Sequence, residues 1–123
     1  MNYLRGDELT GDREILGELP LTEATYFILL SLTPKPQHGY AMMKSVESLS
    51  EGRIRLSTGT LYGAIKRLLE KGWIKRAEDH PAQTDGRGRK AYSLTRYGQR
   101  ILNAEIDRLQ DLVEVAQQVY AEG

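Results

Sequence analysis

Residues 59–74, GTLYGAIKRLLEKGWI, place Leu61, Ile65, Leu68 and Leu69 at the three-and-four spacing that buries one face of an α-helix. The opposite face reads Thr60, Tyr62, Lys66 and Arg67, hydroxyls and cations with no apolar stripe among them. Directly afterwards, Trp73–Ala77 and Lys90–Leu94 read as two strands, joined by a tip that contains Gly86, Arg87, Gly88 and Arg89. A short amphipathic helix followed by a basic hairpin restricts the chain to a small, α-rich fold with a β wing. Such a helix fits the width of a DNA major groove, and its polar face carries the groups that reach phosphates and base edges. A recognition helix with a basic wing is the simplest reading.

The distribution of charge supports that reading where total charge does not, since 17 Lys/Arg balance 17 Asp/Glu. Residues 1–52 hold 4 basic against 8 acidic side chains, residues 53–100 hold 12 against 4, and residues 101–123 hold 1 against 5. One basic block therefore stands between two acidic flanks, the pattern expected when one surface faces a polyanion and the rest must avoid it. A solvated charged face is the plainer alternative. The coincidence of the block with the helix and hairpin favours the first.

At 123 residues and 40% hydrophobic content the chain suits one globular domain with a modest core. Its longest apolar stretch, YFILLSL from Tyr26 to Leu32, is far below the roughly 20 residues of a membrane helix, so no membrane partner is expected. The polar N-terminus does not resemble a signal peptide. With no cysteine there is neither a disulfide framework nor a thiolate metal site, which fits a cytoplasmic setting.

Three segments follow from the pattern. Residues 1–20, interrupted by Gly6, Gly11 and Gly17, read as an N-terminal arm that is either disordered or docked on a partner through Ile15, Leu16 and Leu19. Residues 21–95 read as the helix-turn-helix domain with its wing. A first helix spans 21–33, with Thr22 as N-cap, Glu23 in its first turn and Pro34 and Pro36 beyond its end. A second opens at His38 and Gly39 and runs through Tyr40, Met42, Met43, Val46 and Leu49 to Gly52. Arg53–Leu56 read as a short extended segment with Ile54 and Leu56 inward. Ser57 and Thr58 precede the third helix, where a hydroxyl can cap free amides, help hold a phosphate, or do both in different states.

Residues 96–123 read as a C-terminal dimerisation helix capped by Thr95. Leu102, Ile106, Leu109, Val113, Ala116 and Tyr120 step 4, 3, 4, 3, 4, a heptad seam that Leu112 and Val119 widen. A helix of roughly 37 Å is longer than the body it would have to lie on. It must project, and a second copy is its natural cover. Two copies about a two-fold axis would present two recognition helices to a palindromic site. The expected fold is therefore mainly α with a small β-hairpin: a winged helix-turn-helix domain plus a long C-terminal dimerisation helix.

Three blocks, HGYAMMKSVE at 38–47, STGTLYGAIKRLLEKGWI at 57–74 and GRGRKAYSLTRYGQRIL at 86–102, together resemble the PadR family of winged helix-turn-helix transcriptional regulators. The resemblance covers about residues 21–120, and the single C-terminal helix is similar to that of the small subfamily. It implies a cytoplasmic homodimer, usually a repressor, that releases operator DNA when a small-molecule effector or another signal arrives. It also implies that Gly39 and Tyr40 start the helix bracing the reader, with Tyr40 able to reach the sugar-phosphate backbone. Thr58, Thr60, Tyr62 and Lys66 match the DNA-facing positions of its TLY motif, Arg87, Arg89 and Lys90 match its basic wing, and Leu61, Leu68 and Leu69 match its core. Many relatives have proline after that tyrosine, whereas Gly63 stands here and leaves the helix start less rigid. Relatives with a drug-binding dimer pore use an aromatic on the last helix, whereas the one tryptophan here is Trp73.

With Ser57 and Arg67 added from the residue pattern, the candidate DNA-binding set is Tyr40, Ser57, Thr58, Thr60, Tyr62, Lys66, Arg67, Arg87, Arg89 and Lys90. Trp73 reads as a core wedge between helix and wing, and Met42 and Met43 as packing residues. His38 and His80 are too few to suggest a metal site. Neither a nucleophile with its base nor a phosphate loop is present, so the chain reads as a non-enzyme without a cofactor. The competing reading is a winged-helix protein-protein adaptor whose basic surface meets an acidic protein.

Overall fold

Over residues 6–77 and 90–123, which the computed structural model describes, the chain runs through five helices and three strands. These are α1 (Gly6–Gly17), α2 (Glu23–Ser31), β1 (Gln37–His38), α3 (Gly39–Leu49), α4 (Thr58–Glu70), β2 (Ile74–Ala77), β3 (Ala91–Leu94) and α5 (Arg96–Glu122). Three of the helices begin on a hydroxyl that accepts a free amide: Thr22 from Thr25 at 3.1 Å, Ser57 from Thr60 at 3.1 Å, and Thr95 from Gly98 at 2.9 Å. Each such cap is worth about 1 kcal/mol against alanine. Helix α4 ends where Gly72, at φ +75°, lets the Trp73 amide reach back to the Leu68 carbonyl at 3.0 Å. That reversal turns the chain directly into β2.

The wing strands are each one residue shorter than expected and pair antiparallel, Ile74 opposite Leu94 and Ala77 opposite Ala91. A third strand joins them, for Gln37 pairs with Tyr92 and His38 with Ala91, giving the order β1-β3-β2. The extended segment expected at Arg53–Leu56 forms no strand. Ser50 Oγ accepts the Ile54 amide at 2.9 Å, which curls the chain at the end of α3 and uses locally the donor a strand would need. Ile54 and Leu56 nevertheless pack partly against the core.

That core gathers Ile28 and Leu29 from α2, Met42 and Val46 from α3, Leu61, Ile65 and Leu68 from α4, Trp73 and Ile74 at the wing, and Ile101 and Leu102 from α5. Closest approach occurs at the start of α5, where a Cβ on Gly98 would fall 1.9 Å from the Trp73 carbonyl oxygen. Only glycine fits there. The Thr95 amide donates to that same carbonyl at 3.1 Å, so wing and α5 share one anchor.

Two expectations are corrected by this packing. Residues 6–17 of the supposed arm form α1, and Ile15, 3% exposed, is buried in this chain's own core. Asp12 meets Arg100 at 3.2 Å and Glu18 meets Lys71 at 2.9 Å, which ties the segment down at both sides. Leu102, assigned to the dimer seam, is 1% exposed in the same core, and Ile106 packs partly against it. The first turns of α5 lie on α1, α2 and β3, so its seam is covered from within as far as Ile106.

A buried carboxylate fixes this arrangement. Glu105, 2% exposed, accepts from the Leu21 amide at 2.9 Å and from Arg108 Nε at 2.5 Å and Nη2 at 3.1 Å. Hydrogen bonding from the Arg108 guanidinium holds its carboxyl below the ordinary carboxylate range, against the opposing pull of burial and with help from the Leu21 amide. It joins the entry of α2 to α5 about one-third of the way along that helix. Among the described residues, no helix is long and apolar enough to cross a membrane.

Candidate nucleic-acid interface

Helix α4 is divided cleanly between its two faces. Leu61, Ala64, Ile65 and Leu68 are buried, while Thr58, Gly59, Thr60, Tyr62, Lys66 and Arg67 are exposed. The apolar spacing dictates this, since four buried side chains on one side leave the polar set outward. Ser57 Oγ accepts the Thr60 amide and also donates to Thr60 Oγ1 at 2.9 Å, so this hydroxyl is engaged in the cap. Beside Lys66 on this face stand Gly59, with open space where a Cβ would lie, and the half-buried Gly63.

Tyr62 lies at the edge of this face, and its neighbour is informative. Its hydroxyl oxygen sits 2.3 Å from where a Cβ on Gly39 would stand, so the ring end rests on the first residue of α3. The glycine of HGY and the tyrosine of TLY are thus one contact in space. A methyl at position 39 would force the two helices apart or turn the ring outward. Tyr40, the next residue, is 68% exposed, with Lys44 Nζ 5.5 Å from its ring centroid. Sequence reasoning singled out both tyrosines but not Lys44, whose place one turn after Tyr40 was the available signal.

The basic block separates into paired and unpaired cations. Arg53 pairs with Glu23, Arg55 with Glu47 at 3.3 Å, Lys71 with Glu18 at 2.9 Å and Arg100 with Asp12 at 3.2 Å. All four carboxylates come from the acidic first segment. Lys66, Arg67, Lys75, Arg76, Lys90 and Arg96 are exposed and make no salt bridge with another described residue. The basic block is therefore smaller in space than along the sequence, and among the described residues its unpaired cations lie on α4, on the wing and at the start of α5. Lys75 and Arg76, adjacent on β2, were not singled out because a strand ordinarily turns one of two neighbours inward; here both are exposed. Arg87 and Arg89, assigned to the wing, lie outside the described residues. Among the described residues, no group of three His, Asp or Glu side chains could hold a metal ion.

Comparison with known proteins adds to this geometry. Residues 28–104 match the model of the Transcriptional regulator PadR-like family. An uncharacterized 37.1 kDa protein in transposon TN4556 of Streptomyces fradiae is 35% identical over 83 residues, which are 68% of this chain and 22% of that protein. The chain thus spans about a fifth of that curated relative's length. A PadR family transcription regulator from Clostridium difficile R20291 superposes with a TM-score of 0.66 at 27% identity, covering 80% of this chain and 99% of that one. Bacillus subtilis PadR, solved in complex with operator DNA, superposes with a TM-score of 0.61 at 22% identity, covering 71% of this chain and 48% of that one. The latter is a likeness of fold.

Proposed function

The chain belongs to the PadR-like family of transcriptional regulators, and from that premise we propose that it binds DNA by sequence and acts as a homodimeric repressor on a palindromic operator. The observation that carries this reading is the lack of ion pairs, among the described residues, for the cations of α4 and the wing. Arg53, Arg55, Lys71 and Arg100 of the basic block are matched by carboxylates of the same chain, while Lys66 and Arg67 on α4, Lys75, Arg76 and Lys90 on the wing and Arg96 at the start of α5 are exposed with no ion pair among the described residues. Phosphates are the counter-charge such a surface fits, and each neutralised phosphate adds affinity through counterion release. Thr58, Thr60, Tyr62 and Tyr40 border these cations as neutral donors to the backbone. The likeness of fold to Bacillus subtilis PadR, which was solved with operator DNA, supports the same reading.

Dimerisation is proposed from the outer half of α5. Leu109, Leu112, Val113, Ala116, Val119 and Tyr120 are exposed there, and a second copy of that stripe is its natural cover. Two α4 helices related by a two-fold axis would read half-sites about 34 Å apart, one turn of DNA. Release by a small molecule or another signal completes the proposal.

Selection of duplexes from a random library at moderate salt tests it. A palindromic motif is expected, and Lys66→Ala should weaken its binding while lowering the salt slope by about one unit. Failure to retain any duplex would replace this reading with the protein-adaptor one.

A further inference from the structure

We propose that Arg67 is the base-reading residue of α4, selecting guanine, and that the absence of a side chain at Gly63 is what lets it do so. The inference rests on the DNA-binding reading above and names the specificity of the same face. Helical side chains lean back toward the N-terminus, so a residue covers the one four positions before it. Arg67 does this over Gly63, its Nη1 lying 3.8 Å from where a Cβ on that glycine would stand. A methyl would just touch the guanidinium. A branched side chain would occupy its place.

Gly59 and Gly63 put no side chain on the outer face beside Lys66, so the α4 backbone at those two positions can approach a groove floor more closely than a helix carrying side chains there. The group that lies over Gly63 and can then meet a base edge is the Arg67 guanidinium. Its stem is supported, since Arg67 lines a depression of about 190 Å³ with Thr22, Thr25, Leu68 and Lys71. The neighbouring cation does not repel it strongly, because Lys71 is paired with Glu18 at 2.9 Å. Unlike Arg53, Arg55 and Arg100, Arg67 has no carboxylate partner among the described residues. Its planar fork of donors is thus uncommitted, and the base edge that matches such a fork is O6 and N7 of guanine. Lys66, a compact charge on a flexible stem, suits a phosphate instead.

The test is duplex selection with the full chain and with Arg67→Lys, Arg67→Ala, Gly63→Ala and Gly63→Val, each first shown by circular dichroism to keep its helix content. The unaltered chain is expected to select a motif with one strongly preferred guanine per half-site. Arg67→Lys keeps the charge but loses the fork, so preference at that position should fall roughly tenfold or more while the rest of the motif persists. Arg67→Ala should do the same with weaker overall binding. Gly63→Ala should retain the guanine, and Gly63→Val should lose it at the same position as the Arg67 variants. A motif left unchanged by both Arg67 variants overturns the inference and leaves DNA binding standing, and a guanine that survives Gly63→Val overturns the glycine's part. Selection of no duplex by the unaltered chain overturns the underlying reading instead.

Discussion

Between Arg96 and Glu105, helix α5 buries Gly98, Ile101, Leu102 and Glu105 in its own domain, whereas from Leu109 onward no residue of the same helix is buried in this chain. The apolar period runs through both halves without a break, so the periodicity reports that a stripe is built to be covered and not what covers it. The inner half is held by tight, directional contacts: Gly98 against the Trp73 carbonyl, and Glu105 between the Leu21 amide and Arg108. The outer half exposes an apolar stripe with no partner in this chain, with Leu112 57% and Tyr120 85% exposed. Full burial of one such leucine or valine against a proposed second subunit would contribute about 1.5–3 kcal/mol. One helix thus joins a half packed in its own domain to a half whose apolar stripe is exposed.

The sharpest way to break this contrast is truncation in each half. Leu102→Ala should destabilise the fold by about 2–5 kcal/mol in urea unfolding, since it opens a cavity in a filled core. Glu105→Gln should cost less, about 1–3 kcal/mol at neutral pH, because the amide cannot satisfy both the Leu21 amide and the Arg108 fork. Its effect is pH-dependent with a definite sign. The folded carboxyl titrates below its unfolded counterpart, so its contribution is fully present above the ordinary carboxylate range and is lost as pH falls through the folded value. Stability curves of the two proteins should therefore converge on the acid side; a gap that stays constant there would rule out the ionised form as the source. Leu112→Lys should change the stability of the isolated fold by no more than about 0.5 kcal/mol, measured where the unaltered chain is monomeric. Sedimentation should nevertheless show the dimer lost. Equal destabilisation by Leu102→Ala and Leu112→Lys would erase the distinction between the halves.

Much of the fold was legible because it rests on local chemistry. Thr22, Ser57 and Thr95 marked helix starts, the spacing of Leu61, Ile65 and Leu68 marked the buried face of α4, and the wing strands followed from their composition. What escaped notice depends on distant partners. Strand β1 is two residues long and exists only through pairing with β3. Ile15 is the one fully buried side chain of α1 from Asp12 onward, and a single anchor leaves no periodic trace. Glu105 looked like any polar residue on a surface helix, because its partners, Leu21 above all, are 84 residues away or on the next turn. At the candidate interface the outward face of α4 was legible from periodicity, whereas the pairing of Arg53, Arg55, Lys71 and Arg100 with carboxylates of the first segment was not.

The shared anchor at Trp73 has a mechanical consequence. Twenty-seven residues of α5 make a rod of roughly 40 Å at 1.5 Å per residue, pinned at one end against the base of the wing. Tilting such a rod by about 5° at its pin would sweep the free tip by roughly 3 Å. Gly98 seated on a carbonyl and Glu105 acting as a stay one-third of the way along set the angle at that pivot. The direction set at those two points, close to the wing, therefore fixes where the exposed stripe of the far end is presented.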